Sequence, residues 1–148
     1  MRLVLDTNVV LAALLWSGPP NRLIELASEG LVDLLSSDEL LAELADVLTR
    51  QKFEKKLAEQ NTSPAELVSR YEELVEIVAA PSQSVINLRD LDDAIVTSCA
   101  LAARADLIVS GDRDLQALVS YQGIPVVSPA QAMQRLSSAP TQGSADAP

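Results

Sequence analysis

Two carboxylates sit where short apolar runs stop. The N-terminal Arg-Leu-Val-Leu ends at Asp6, with Thr7 and Asn8 behind it, and a later Leu-Ile-Val ends in Ser110-Gly111-Asp112. Such runs read as buried strands, and in open α/β sheets ligands bind beyond the carboxyl ends of the strands. A carboxylate at that edge loses solvation that something must offset. Histidine is absent and no arginine adjoins Asp6, so a metal ion is the natural counter-charge. Taken singly, Asp6 and Asp112 serve equally well as helix N-caps, since each precedes a helical stretch. Two of them at one sheet edge point to a site.

More acids lie on helices. Over residues 38–49 the apolar stripe is Leu40, Leu41, Leu44, Val47 and Leu48; Glu43 borders it, while Glu39 and Asp46 turn further toward solvent. By periodicity alone Glu43 is an ordinary rim residue. Asp90, Asp92 and Asp93 cluster at the start of a helix over 92–104, where the helix dipole favours each by about 0.3–1 kcal/mol. That helix is mostly apolar, so its N-terminus lies near the core and at least one of the three is poorly solvated. Periodicity leaves open which one.

The elements that must position these acids alternate. Strands are expected at 2–5, 31–35, 76–79, 106–110 and 124–127. Helices are expected at 8–16, 21–29, 37–49, 50–59, 62–76, 92–104, 113–119 and 128–136. Ser17-Gly18-Pro19-Pro20 breaks the first helix from the second, and Gly30 follows the second. Strand–helix alternation implies an α/β sandwich with a mainly parallel sheet. One globular domain is expected over 1–136. The remainder, 137–148, is Ser, Ala, Pro, Gly and Thr without periodicity, a composition expected to be disordered.

The 148 residues suffice for a sizeable core, which must be aliphatic because the only aromatics are Trp16, Phe53, Tyr71 and Tyr121. No apolar run approaches the roughly 20 residues of a membrane span, and the N-terminus does not read as a signal peptide. The lone Cys99 fits a reducing cytoplasm. The lack of histidine excludes His-dependent triads, His general bases and the usual zinc sites. The net charge of −10 runs against the basic footprint of nucleic-acid binders; acids converging on a cation account for part of it, and a basic partner peptide would mask more. The cluster Arg50, Lys52, Lys55 and Lys56 is interrupted by Glu54 and Glu59 and reads as a solvated helix face. Arg89 and Arg113 flank the acids and are better placed to touch phosphate.

Together these segments resemble the PIN-domain family. Leu-Asp6-Thr7-Asn8 resembles its opening motif, and Glu39-Leu-Leu-Ala-Glu43 its second-acid helix. Arg89-Asp90-Leu-Asp92-Asp93-Ala-Ile-Val resembles its third segment. Ser110-Gly111-Asp112-Arg113-Asp114 resembles the fourth, and Gly123-Ile-Pro-Val-Val-Ser-Pro fits a toxin branch of the family. The resemblance spans about residues 2–136. It departs at Leu91, where relatives often carry proline, and at Ala94, where they often carry a third aspartate. It implies a three-layer α/β/α sandwich and Mg²⁺- or Mn²⁺-dependent endoribonuclease activity, with Asp6, Glu43, Asp93 and Asp112 as metal-binding catalytic acids. Thr7, Asn8, Asp90, Asp92, Ser110 and Asp114 are expected around them, with Thr7 and Asn8 orienting Asp6 or a bound water. It further implies an RNA substrate, homodimerisation and, for toxins of the VapC-like class, an antitoxin partner. A PIN-like processing nuclease that is no toxin, or a catalytically silent binding module, would share these motifs. A receiver domain needs a lysine after a late strand, and none follows Lys56; a haloacid-dehalogenase-like phosphatase needs an aspartate where Asn8 stands.

Overall fold

The computed structural model describes residues 1–79 and 91–138, with the side chains of 91–93 and 138 outside the description. The order is β1 (Arg2–Leu5), α1 (Thr7–Leu15), α2 (Pro19–Ser28), β2 (Asp33–Ser36), α3 (Asp38–Leu48), a 3-10 turn (Gln51–Phe53), α4 (Glu54–Glu59), α5 (Pro64–Leu74) and β3 (Val75–Ile77). There follow α6 (Leu91–Ala103), β4 (Leu107–Val109), α7 (Arg113–Gln116), β5 (Ser120–Tyr121), β6 (Ile124–Val127) and α8 (Pro129–Ser138). Among the described residues the strands form one sheet in the order β3-β2-β1-β4-β6-β5. All pairs are parallel except β5–β6.

Side chains alternate across the sheet, as strand geometry requires. Leu3, Leu5, Leu34, Leu107, Val109 and Val127 enter one core with α1, α2, α5 and α8. Val4, Leu35, Ile108 and Val126 enter a second core with α6 and Leu115 of α7. Two aliphatic cores on opposite faces make the three-layer α/β/α sandwich. The far end of α6 is tied to the start of β1: the Arg2 guanidinium donates to the Ala103 carbonyl at 2.8 and 3.0 Å, and the Arg2 N–H donates to Asp106 at 2.7 Å.

Several boundaries differ from expectation, some for identifiable reasons. Pro19 and Pro20 open α2 rather than merely ending α1; their fixed φ and missing N–H suit the first helical positions. Gly30, at φ +79, closes α2 with the Leu31 N–H bonded back to Leu26, so β2 starts later, at Asp33. The two-residue β5 lacked any sequence signal, and α8 runs on through Ser137 and Ser138. The rest of the expected tail, 139–148, lies outside the described residues. Trp16 is half exposed with the Lys56 ammonium 5.4 Å from its ring centroid, and Lys52 stands 5.3 Å over Phe53. No helix of the described residues is long and apolar enough to cross a membrane.

Candidate active site

Between β1 and β4 the chain order reverses, with β2 and β3 on one side and β6 and β5 on the other. In open α/β sheets such a switch point is where ligands bind, beyond the carboxyl ends of the strands. The sheet turns polar there. Asp6 and Thr7 after β1, Ser36 and Ser37 at the end of β2, and Ser110 after β4 are all buried, although the buried strand residues before them (Leu3, Val4, Leu5, Leu34, Leu35, Leu107, Ile108, Val109) are aliphatic.

Asp6 is only 8% exposed. Its N–H donates to the Val109 carbonyl at 3.0 Å, which locks the residue to the neighbouring strand. Its carboxylate caps α1, accepting the Val9 N–H at 3.0 Å, and its other oxygen accepts the Ser110 hydroxyl. That hydroxyl also accepts the Asp112 N–H at 2.9 Å, so one buried serine joins the ends of β1 and β4. Asp112 is half-buried and caps α7 through the Asp114 N–H at 2.8 Å. Desolvation raises the Asp6 pKa above its ordinary 3.8, against the Ser110, Val9 and Asn8 hydrogen bonds, and the Asp112 charge raises it further. Among the described residues no lysine or arginine pairs with Asp6 or Asp112. Capping and site formation are therefore not alternatives: both aspartates cap helices and still face one another's charge.

Glu43 is half-buried on α3, as its place beside the apolar stripe suggested. The Thr7 hydroxyl donates to its Oε1 at 2.5 Å. Thr7, expected to orient Asp6 or a water, thus holds Glu43 instead. The Asn8 side chain is exposed, and only its backbone N–H is directed at Asp6. Arg113 and Asp114 are exposed on α7. Arg89 and Asp90 lie outside the described residues. Asp92 and Asp93 fall in the first turn of α6, and their side chains also lie outside. With its C-terminus pinned beside the start of β1, α6 rises about 18–20 Å, which brings its first turn to the edge that carries Asp6 and Asp112. Among the described residues no group of three acidic or cysteine side chains stands close enough to hold an ion, so any such set draws on residues beyond them.

Two groups about the acids stand out less in the sequence than the acids themselves: Ser110, and Gln116, whose amide donates to the Ser110 carbonyl at 2.6 Å. The signal for Ser110 is its spacing: a hydroxyl two residues before an aspartate at a strand end can take the aspartate's N–H. Gln116 carried no such signal. Tyr71 on α5 is fully buried, and its phenol is pushed up by burial, with the charges of Cys99 and Asp6 adding.

The family model described as PIN domain matches residues 2–114. PAE2754 of Pyrobaculum aerophilum is similar in fold, with a TM-score of 0.60 at 13% identity over 93% of this chain and 99% of that one. VapBC2 of Rickettsia felis, solved with a DNA fragment from its promoter, gives 0.56 at 17% identity over 85% and 97%. No curated protein matches. With the family model covering most of its length, this chain belongs to the PIN-domain family.

Proposed function

We propose that the protein is a divalent-metal-dependent endoribonuclease, acting as a homodimeric toxin restrained by an antitoxin. One observation carries the reading: a buried aspartate at the switch point with no cationic partner among the described residues, joined through one serine to a second aspartate whose charge opposes it. Membership of a family made up in general of nucleases supports the activity. The Rickettsia felis neighbour supports the antitoxin partner.

The donor set is oxygen throughout, which suits Mg²⁺ or Mn²⁺ over softer ions. In this reading Asp6 and Asp93 hold the ion, with Asp112 and Glu43 completing its surroundings. When bound, the ion supplies Lewis acidity to the phosphate and to an attacking water. The protein's own groups do the placing. Ser110 fixes the Asp6 carboxylate and the Asp112 backbone, and Thr7 fixes Glu43. Asn8, Asp90, Asp92 and Asp114 support the acids around the rim, while Arg113 and Arg89 contact phosphate. In-line attack by water leaves a 5′-phosphate and a 3′-hydroxyl.

The test is cleavage of a structured RNA by the purified protein with Mn²⁺, then with EDTA. Asp6→Asn and Asp112→Asn should each lower the rate at least about 100-fold, a barrier increase of about 2.7 kcal/mol. Cleavage that survives EDTA, or an Asp6→Asn protein as fast as the parent, rules the proposal out.

A further inference from the structure

Beyond the switch point, the outer edge of β6 is only half covered, because β5 pairs with it at Pro125 and Ile124 alone. A cleft of about 600 Å³ opens there between α7 and α8, lined by Gln116, Val119, Val126, Gln131, Gln134 and Arg135. Its size is that of a small-ligand pocket.

Strand addition is the first use to consider for an open edge. Here it has little to bind. The outward N–H of Val126 already donates to Val119 at 2.9 Å, and that of Ser128 to the Gln131 amide oxygen at 2.9 Å. What the cleft offers instead is side-chain amides. Gln116 spends its Nε2 on the Ser110 carbonyl, which leaves its oxygen as an acceptor. Gln131 spends its oxygen on the Ser128 cap, which leaves its Nε2 as a donor. One acceptor and one donor among the lining residues match the polar edge of a nucleobase. Arg135 is exposed and has no ion-pair or hydrogen-bond partner among the described residues, so it is open to a phosphate.

Two features tie the cleft to chemistry rather than to packing. Val119 is 72% exposed and held at φ +62, a conformation that β-branched residues rarely adopt and that clusters at functional sites. Gln116 also touches the Ser110 carbonyl, whose own hydroxyl holds Asp6, so the cleft abuts the acidic loop.

We infer that this cleft binds the base of a single-stranded ribonucleotide flanking the scissile phosphate, with Gln116 and Gln131 reading its edge and Arg135 holding the adjoining phosphate. As a subsite this rests on the proposed nuclease function; as an RNA-binding surface it can be tested without turnover.

The experiment is equilibrium binding of short oligo(A), oligo(C) and oligo(U) to the full chain in EDTA, followed by fluorescence anisotropy. Arg135→Gln should weaken all three alike, by about fivefold. Arg70→Gln, which removes an equal charge from the ion pair with Glu66 on α5, should change binding less than about twofold. Gln131→Glu keeps the oxygen that caps Ser128 but turns the donor into an acceptor, so beyond the uniform weakening by its added negative charge it should reorder the three affinities. Thermal melts of each variant check that the fold is kept. The inference is overturned if the parent binds none of the three, if Arg135→Gln binds like Arg70→Gln, or if Gln131→Glu leaves the order unchanged. Arg135-dependent binding without Asp6-dependent cleavage would retain the cleft and remove the nuclease.

Discussion

Asp6→Asn should make the metal-free protein more stable while it abolishes the stabilisation by metal. The carboxylate is nearly buried and faces the Asp112 charge. An asparagine keeps the oxygen that accepts the Val9 N–H, so the α1 cap survives. Its amide nitrogen meets the Ser110 hydroxyl where the second oxygen stood, and a neutral hydrogen bond replaces a charge-assisted one at a loss of about 1 kcal/mol. Against that, a buried charge with no cationic partner among the described residues, which costs several kcal/mol, disappears. The balance is about 1–3 kcal/mol in favour of the variant, or a Tm higher by about 3–10 °C for a chain of this size. Divalent ion should reverse the order: at roughly a hundred times Kd the parent gains about 2.7 kcal/mol and the variant almost nothing. The pH dependence has a definite sign. The folded carboxyl binds its proton more tightly than the unfolded one, whose ordinary value is 3.8. The parent therefore carries no deficit below that value and loses stability as pH rises through the raised folded pKa. Calorimetry of both proteins in EDTA and in Mn²⁺, at neutral and acidic pH, reads all of this. A variant that melts below the parent in EDTA at neutral pH would refute the account of Asp6 as an uncompensated charge.

Ser110→Ala removes the donor to Asp6 and strands the Asp112 N–H; it should cost about 1–3 kcal/mol and lower Mn²⁺ affinity about 10–100-fold, read by calorimetry and metal titration. Thr7→Val deletes the 2.5 Å bond to Glu43 at nearly constant volume, so cleavage should fall about tenfold or more while stability changes by only about 0.5–1.5 kcal/mol; equal losses in both would mean the hydroxyl serves the fold alone. Cys99 is fully buried, and its thiol is pushed up to about 12 by that burial, with a Ser37 hydrogen bond opposing. A thiol reagent at mildly alkaline pH should label it no faster than the protein globally unfolds, measured against a denatured control.

The sheet was legible wherever an apolar run met a polar stop. Arg2–Leu5 and Ile124–Val127 have the expected bounds, because burial on both faces writes itself into consecutive aliphatic residues. Boundaries moved where turn chemistry and apolar pattern competed: Val32 is buried yet lies outside β2, because the turn at Gly30 and Leu31 takes up the chain first. β5 is two residues long and presents no pattern at all. In the site, the acids could be read from strand ends and a helix stripe, whereas the groups that hold them could not. Thr7 and Glu43 are 36 positions apart and Ser110 and Asp6 are 104 apart, and such pairings exist only after the layers have packed.

The clamp of Arg2 on Ala103 has a mechanical consequence. It grips α6 at the end opposite the site, so the helix works as a lever with its pivot on the far side of the molecule. A tilt of about 5° about that pivot would swing the first turn by about 1.7 Å over a helix of this length. Metal ligands tolerate displacements of only about 0.2 Å. If the proposed site draws an acid from α6, an arginine remote from any reacting atom would thereby help to set its separation from the acids fixed to the sheet.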